Sequence, residues 1–232
     1  LENNLCLIPA RGGSKRIPRK NVLPLNGVPL IGYSILAAKN AAIFDEIIVS
    51  TEDEEIKKVA LSYGVKVDDR PHDLAGDNVT KVTVVKEFLS RELNRNKYST
   101  ITALLPTCPF RTAQHLKEAF EIFKSNKDVP FLIGVTEYDF PIQLSLSPMN
   151  DYKMKITFEN GYSVTRSQDI EKRFHPNGAM YMATVEAFIQ KGTFFNEIMS
   201  TYKMSALNSF DIDYPYQFEI AEILSKKPEL FK

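Results

Sequence analysis

Short, continuously apolar runs that alternate with helix-patterned stretches constrain this chain more than any other feature. Leu5–Ile8, Glu46–Thr51, Thr100–Leu105 and Phe131–Thr136 have the length and composition of buried strands. Between them, Leu30, Tyr33, Ser34, Ala37, Ala38 and Ala41 recur at helical spacing. So do Ile56, Val59, Ala60 and Tyr63 after the acidic start Glu52–Glu55, and Leu116, Ala119, Phe120 and Phe123 after Thr112. Further helices are expected around Val79 to Leu93, around Thr184 to Gln190 and from about Pro215, and Val65–Val67 reads as a short strand. This rhythm predicts an α/β fold, a mostly parallel sheet with helices on both faces, in which ligands bind beyond the carboxyl ends of the strands.

The loop leaving the first strand is where such a fold places a ligand. It carries Gly12, Gly13 and Ser14 among the cations Arg11, Lys15, Arg16, Arg19 and Lys20. Glycines permit close backbone approach and cations offset anionic charge, so the loop is suited to a polyphosphate. Neither Gly-x-Gly-x-x-Gly nor Gly-x-x-x-x-Gly-Lys-[Ser/Thr] is present. The formal net charge of zero offers no broad basic field, which argues against nucleic acid as a partner.

Size and composition set the remaining bounds. The 232 residues are read as one domain, with an inserted element at about 138–181. There the texture changes: strand-like pieces at Met154–Phe158 and Met180–Met182 stand among Pro141, Pro148 and Pro176, without a clear helix. Hydrophobic content of 44% and charged content of 25% are those of a soluble globular protein. No apolar run approaches the roughly 20 residues that cross a bilayer, and no signal-peptide pattern opens the chain, so no membrane association is expected. Cys6 and Cys108 have no metal-site spacing, and a reducing cytoplasm is the expected location.

Two further stretches carry candidate chemistry. Asp69–Asp77 is a polar loop that suits either a turn or the reading of a base edge. Asp211 and Asp213 are two apart, so on an extended segment both carboxylates point one way. They read as paired ligands of a hard cation such as Mg2+, against the alternatives of solvated acids or a helix cap.

Ala10-Arg11-x-Gly13-Ser14-Lys15-x-x-Pro18-x-Lys20-Asn21 resembles the opening signature of the acylneuraminate cytidylyltransferase (CMP-sialic acid synthetase) family. Arg70-Pro71, Leu74-Ala75 and Asp77 resemble its base-recognition loop, and Leu105-Pro106-Thr107-Cys108-Pro109-Phe110-Arg111-Thr112 its second signature. Pro176-Asn177-Gly178-Ala179 and Asp211-Ile212-Asp213 match as well. The resemblance implies a Rossmann-like nucleotidyltransferase that moves CMP from CTP to the anomeric hydroxyl of an acidic nine-carbon 2-keto sugar, releasing pyrophosphate. The sugar would be a neuraminate, legionaminate or pseudaminate.

The same resemblance implies roles. Arg11, Lys15 and Lys20 would hold phosphates and act in catalysis, assisted by Ala10, Gly12, Gly13 and Ser14, with Asn21 positioning nucleotide or sugar. Arg70 and Asp77 would read the base. Asp211 would bind Mg2+, and Asp213 would share that ion, bind a second one, or help deprotonate the sugar's anomeric hydroxyl. The insert would dimerise the chain. On the sugar side the pattern departs: Leu105, Gln143, Arg166 beside Ser167, and His175 stand where neuraminate-acting relatives use a glutamine, a lysine and arginines. Thr107, Arg111 and Asn177 complete the candidate sugar site, although Arg111 equally suits a loop anchor and His175 a structural hydrogen-bonder. The alternatives are a 3-deoxy-octulosonate cytidylyltransferase and a non-catalytic nucleotide-binding module.

Overall fold

The computed structural model describes residues 3–76, 78–158 and 166–231. Strand β1 (Asn4–Pro9) leads through the basic loop to a two-residue hairpin, β2 (Pro24–Leu25) and β3 (Val28–Pro29), and then to helix α1 (Leu30–Ala41). The regular alternation follows: β4 (Glu46–Thr51), α2 (Glu54–Ser62), β5 (Lys66–Asp69), α3 (Lys81–Ser90), α4 (Glu92–Lys97), β6 (Thr100–Ala103), α5 (Ala113–Ser125) and β7 (Phe131–Glu137). A hairpin of β8 (Leu146–Asn150) and β9 (Lys153–Ile156) precedes β10 (Phe174–Thr184), α6 (Val185–Lys191), β11 (Ser200–Lys203) and α7 (Pro215–Ser225).

Among the described residues the central sheet runs β11-β7-β10-β6-β1-β4-β5. Every pairing in it is parallel except those of β10, which lies antiparallel to β6 and β7. The predicted mostly parallel, doubly covered sheet is therefore the observed one. Its two cores follow from the pleat, since alternate residues of a strand face opposite ways. Cys6 and Ile8 join Ile31, Ile35, Leu116 and Phe120 on one face, and Leu5 and Leu7 join Val85, Phe88 and Phe188 on the other.

Three differences from expectation have local causes. The helix expected over Val79 to Leu93 is divided at Arg91, whose φ of −69° and ψ of 120° are extended; its guanidinium bonds Asp68 on β5 at 2.7 Å. The β2–β3 hairpin turns on Asn26 and Gly27, both at positive φ, the pairing that favours a tight hairpin. The insert expected at 138–181 ends before Phe174, because β10 returns into the centre of the sheet. A register shift between Pro176 and Tyr181, with Gly178 at φ 74°, lets this strand carry a proline. Among the described residues no helix is long and apolar enough to cross a membrane.

Candidate active site

The basic loop is built by its own hydrogen bonds. Ala10 N donates to Ser50 O at 3.0 Å, and Gly12 N donates to Glu52 Oε1 at 2.8 Å. A Cβ on residue 12 would collide with the Asp53 carboxylate, so the close passage requires glycine. Asn21 donates through Nδ2 to Arg11 O at 2.9 Å, tying the end of the loop to its start. The N–H groups of Ala10 and Gly12, expected to face phosphate, are thus committed to scaffold. Gly13 faces open space.

Arg19 also leaves the expected cradle. With φ at 59° it turns its guanidinium onto Asp53, at 2.5 and 2.9 Å, and onto Glu55. The hydrogen bonds from Arg19, with help from the N–H groups of Ile56 and Glu55, hold the Asp53 carboxyl down at about 2. Asp53 in turn caps α2.

What remains of the loop opens on a cavity of about 300 Å³ at the carboxyl ends of the strands, lined by Arg11, Ser14, Arg16, Lys20 and Asn21. Beyond β5 it meets Arg70, and at the start of α3 Thr80 and Lys81. Beyond β6 it meets Leu105, Pro106 and Thr107, and the segment before α7 adds Asp211 and Asp213.

On the β5 flank, Glu52 accepts from both Gly12 N and Arg70 Nη2, the latter at 2.5 Å. Burial pushes the Glu52 carboxyl up, but the Arg70 bond and the Gly12 N–H together carry it below the usual carboxylate range. Arg70 is only 4% exposed, and its Nε is buried without a hydrogen-bond partner among the described residues.

On the opposite flank the acids are positioned by the chain around them. Ile212 N donates to Thr107 O at 2.9 Å, docking the segment against the turn after β6. Lys20 Nζ bonds Ile212 O at 2.7 Å and Asp213 Oδ1 at 3.1 Å, and Arg16 lies 3.4 Å from Asp213 Oδ2. Asp211 has the Cys108 thiol 3.8 Å behind it. Burial raises the Asp211 carboxyl above its ordinary range; the Thr107 hydroxyl and Lys20 oppose that, and Asp213 adds to it. The two acids stand on irregular backbone rather than a strand, and the N-cap of α7 is Tyr214 rather than Asp213, with Gln217 Oε1 accepting from the N–H groups of both.

Of the residues singled out from sequence, Arg11, Ser14, Lys20, Asn21, Arg70, Leu105, Thr107, Asp211 and Asp213 share the cavity. Others stand elsewhere. Lys15 is exposed beside it. Arg111 is buried as a structural anchor on Ala179 O, Leu105 O and Ser34 Oγ. Asn177 is buried too, bonding Ser209 Oγ at 2.9 Å and accepting from Ala179 N, in a space that Gly134 leaves open. His175 bonds Pro176 O and rests against Tyr138, and Gln143 donates to Glu171 O. Arg166 is exposed, outside this cavity. Asp77 lies outside the described residues. Arg16 of the basic loop lines the cavity as well, and so do Thr80 and Lys81, which the sequence reading does not single out although Thr80-x-x-Thr83 is a readable helix start at the sheet's ligand edge.

A mostly parallel sheet whose strand ends bring a cationic loop, a buried arginine and an acid pair to one cavity has the layout of a nucleotide-binding α/β fold. Residues 5–228 match the cytidylyltransferase family, and the chain belongs to that family. It is 39% identical to a pseudaminic acid cytidylyltransferase of Campylobacter jejuni over 96% of each chain. It is 33% identical to an N-acylneuraminate cytidylyltransferase of Escherichia coli, covering 96% of this chain and 52% of that protein. Among solved structures, a CMP:2-keto-3-deoxy-manno-octonic acid synthetase complexed with CTP superposes with a TM-score of 0.73 at 14% identity, covering 97% of this chain and 99% of the other. That last likeness is one of fold. The chain is accordingly a nucleotidyltransferase.

Proposed function

We propose that the chain transfers CMP from CTP to the anomeric hydroxyl of a nonulosonic acid, with a pseudaminate-type sugar as the first candidate. The observation that carries this reading is the shared cavity of Arg11, Ser14, Lys20, Arg70 and Asp211 in a chain 39% identical to a pseudaminic acid cytidylyltransferase. The sugar oxygen attacks the α-phosphorus, the bond from that phosphorus to the oxygen bridging to the β-phosphate breaks, and pyrophosphate leaves. The hydroxyl proton passes to solvent or to a carboxylate. Catalysis rests on alignment and charge neutralisation, for which Arg11 and Lys20 supply cations and Ser14 a hydroxyl. That Arg70 lines the same cavity as the basic loop supports its assignment to the cytosine.

Two carboxylates do not make a closed metal site, and among the described residues no group of three or more His, Cys, Asp or Glu side chains could hold an ion. They do fit Mg2+, which takes one or two carboxylates and completes its shell with phosphate oxygens and water. Asp211 is the principal ligand in this reading, because Asp213 is already engaged by Lys20 and Arg16. The ion would neutralise charge on the triphosphate as it develops. Pyrophosphate release measured with CTP, Mg2+ and a panel of acidic sugars tests the function. Turnover with pseudaminate exceeding that with N-acetylneuraminate and 3-deoxy-octulosonate is expected, and no release with any nonulosonate would sink it.

The same reading includes a homodimer in the cytoplasm. Phe140, Leu146, Met149, Tyr152, Met154, Ile156 and Phe158 are all exposed on and around the β8–β9 hairpin. Such a concentration of solvent-facing apolar side chains marks an association surface, and a second copy of this chain fits it. Sedimentation velocity is expected to show a dimer that Met154→Asp with Ile156→Asp converts to monomer. A wild-type monomer at micromolar concentration would refute the assignment.

A further inference from the structure

The cavity holds a cation that the assignments above leave unused. Lys81 opens α3, lines the cavity, and lays its Nζ 4.0 Å from the centroid of the Tyr181 ring. Among the described residues no carboxylate comes within ion-pair distance of it. Burial pulls its ammonium below the ordinary lysine range, and the nearby Asp211 charge works against that. A partly buried ammonium resting on an aromatic face, with no acid in ion-pair contact, is a site for an anion.

Sheet order says which anion. The phosphate-facing loop follows β1, and Arg70 follows β5, so a nucleotide read by both occupies the β1-β4-β5 side. Tyr181 lies on β10 and pairs with Ala103 of β6, on the other side of β1. That side, with Leu105 and Thr107, is left for the acceptor. In a 2-keto sugar acid the attacking hydroxyl and the carboxylate are carried by the same anomeric carbon. Wherever Asp211 marks the reacting phosphorus, the carboxylate must therefore lie close by.

We propose that Lys81 is the specificity residue that receives the acceptor's carboxylate, so that this cation, rather than Gln143, Arg166 or His175 of the same chain, makes the enzyme select an acid. This rests on the nonulosonate reading above. Its test compares pseudaminate with its C1 amide in pyrophosphate release. Wild type is expected to prefer the acid by about 100-fold in kcat/KM, the scale of one buried charge-assisted contact. Lys81→Met, which keeps the stem over Tyr181, is expected to lower kcat/KM for the acid by about 30- to 100-fold and to leave the amide within about 3-fold. The KM for CTP should stay within about 3-fold, and Lys81→Arg should restore part of the preference. If Lys81→Met is not folded by circular dichroism, Lys81→Gln takes its place. An unchanged preference for the acid overturns the proposal, as does a raised KM for CTP with acceptor KM unaltered, which would assign Lys81 to the triphosphate. A wild-type enzyme inert toward every nonulosonate would instead remove the functional reading, and this inference with it.

Discussion

Asp211→Asn is expected to lower kcat for pyrophosphate release by at least about 10³-fold while leaving the fold intact. The amide keeps the size of the side chain and its contact with the Thr107 hydroxyl but removes the charge that would hold a divalent ion. A loss of that size corresponds to roughly 4 kcal/mol of transition-state stabilisation. The thermal midpoint should match or exceed that of wild type, because burial disfavours the charged carboxylate and the neutral amide relieves it. Function and stability are thereby predicted to move oppositely, which general misfolding could not mimic. Mg2+ titrated up to tens of millimolar should not rescue the variant fully. Wild-type turnover in Asp211→Asn would end the metal assignment, and with it the argument that this cavity is where phosphorus is attacked.

Asp213→Asn makes a weaker counterpart and shows why the pair is asymmetric. Asp213 is partly exposed and bridges Lys20 and Arg16, so its loss frees two cations as well as removing one ligand. The two acids are equivalent in sequence spacing and different in surroundings. Spacing could identify them as a pair; only the chain packed around them says which one is left open to an ion.

That contrast runs through the whole molecule. What was readable from sequence is what is encoded locally: continuous apolar strands, helical periodicity, the cap at Thr112, and a cationic glycine loop directly after the first strand. Features set by partners far along the chain were not. Arg19 sits among phosphate-binding residues in sequence, yet Asp53 and Glu55 claim it across the loop. The polar β11 strand has no apolar run to announce it and exists because β7 offers it a parallel edge. β10 does not read as one strand because Pro176 and Gly178 break its pattern, and the bulge that accommodates them is a property of the sheet. Lys81 carries no local signal because its significance depends on Tyr181, a hundred residues away in the chain.

Arg111 is the sharpest instance, and its removal should produce the largest stability change. Its guanidinium donates to Ala179 O at 2.6 Å, to Leu105 O at 3.4 Å and to Ser34 Oγ at 2.6 Å, joining β10, the end of β6 and α1. It is 2% exposed, and burial lowers its pKa, so the charge is held at a cost that these acceptors offset. Arg111→Ala strands those oxygens and leaves a void in the core, for an expected loss of about 3–5 kcal/mol. For a chain of this size that is a fall in thermal midpoint on the order of 10 °C. Arg111→Met refills part of the space without serving the oxygens and should fall between the two. Because Leu105 lines the cavity, anchoring its carbonyl also fixes one wall of the acceptor side, so a rise of a few-fold in acceptor KM is compatible with a purely structural role. A variant with an unaltered midpoint and an acceptor KM raised by about 100-fold would show the reverse, that Arg111 touches the sugar and that its burial here is only apparent.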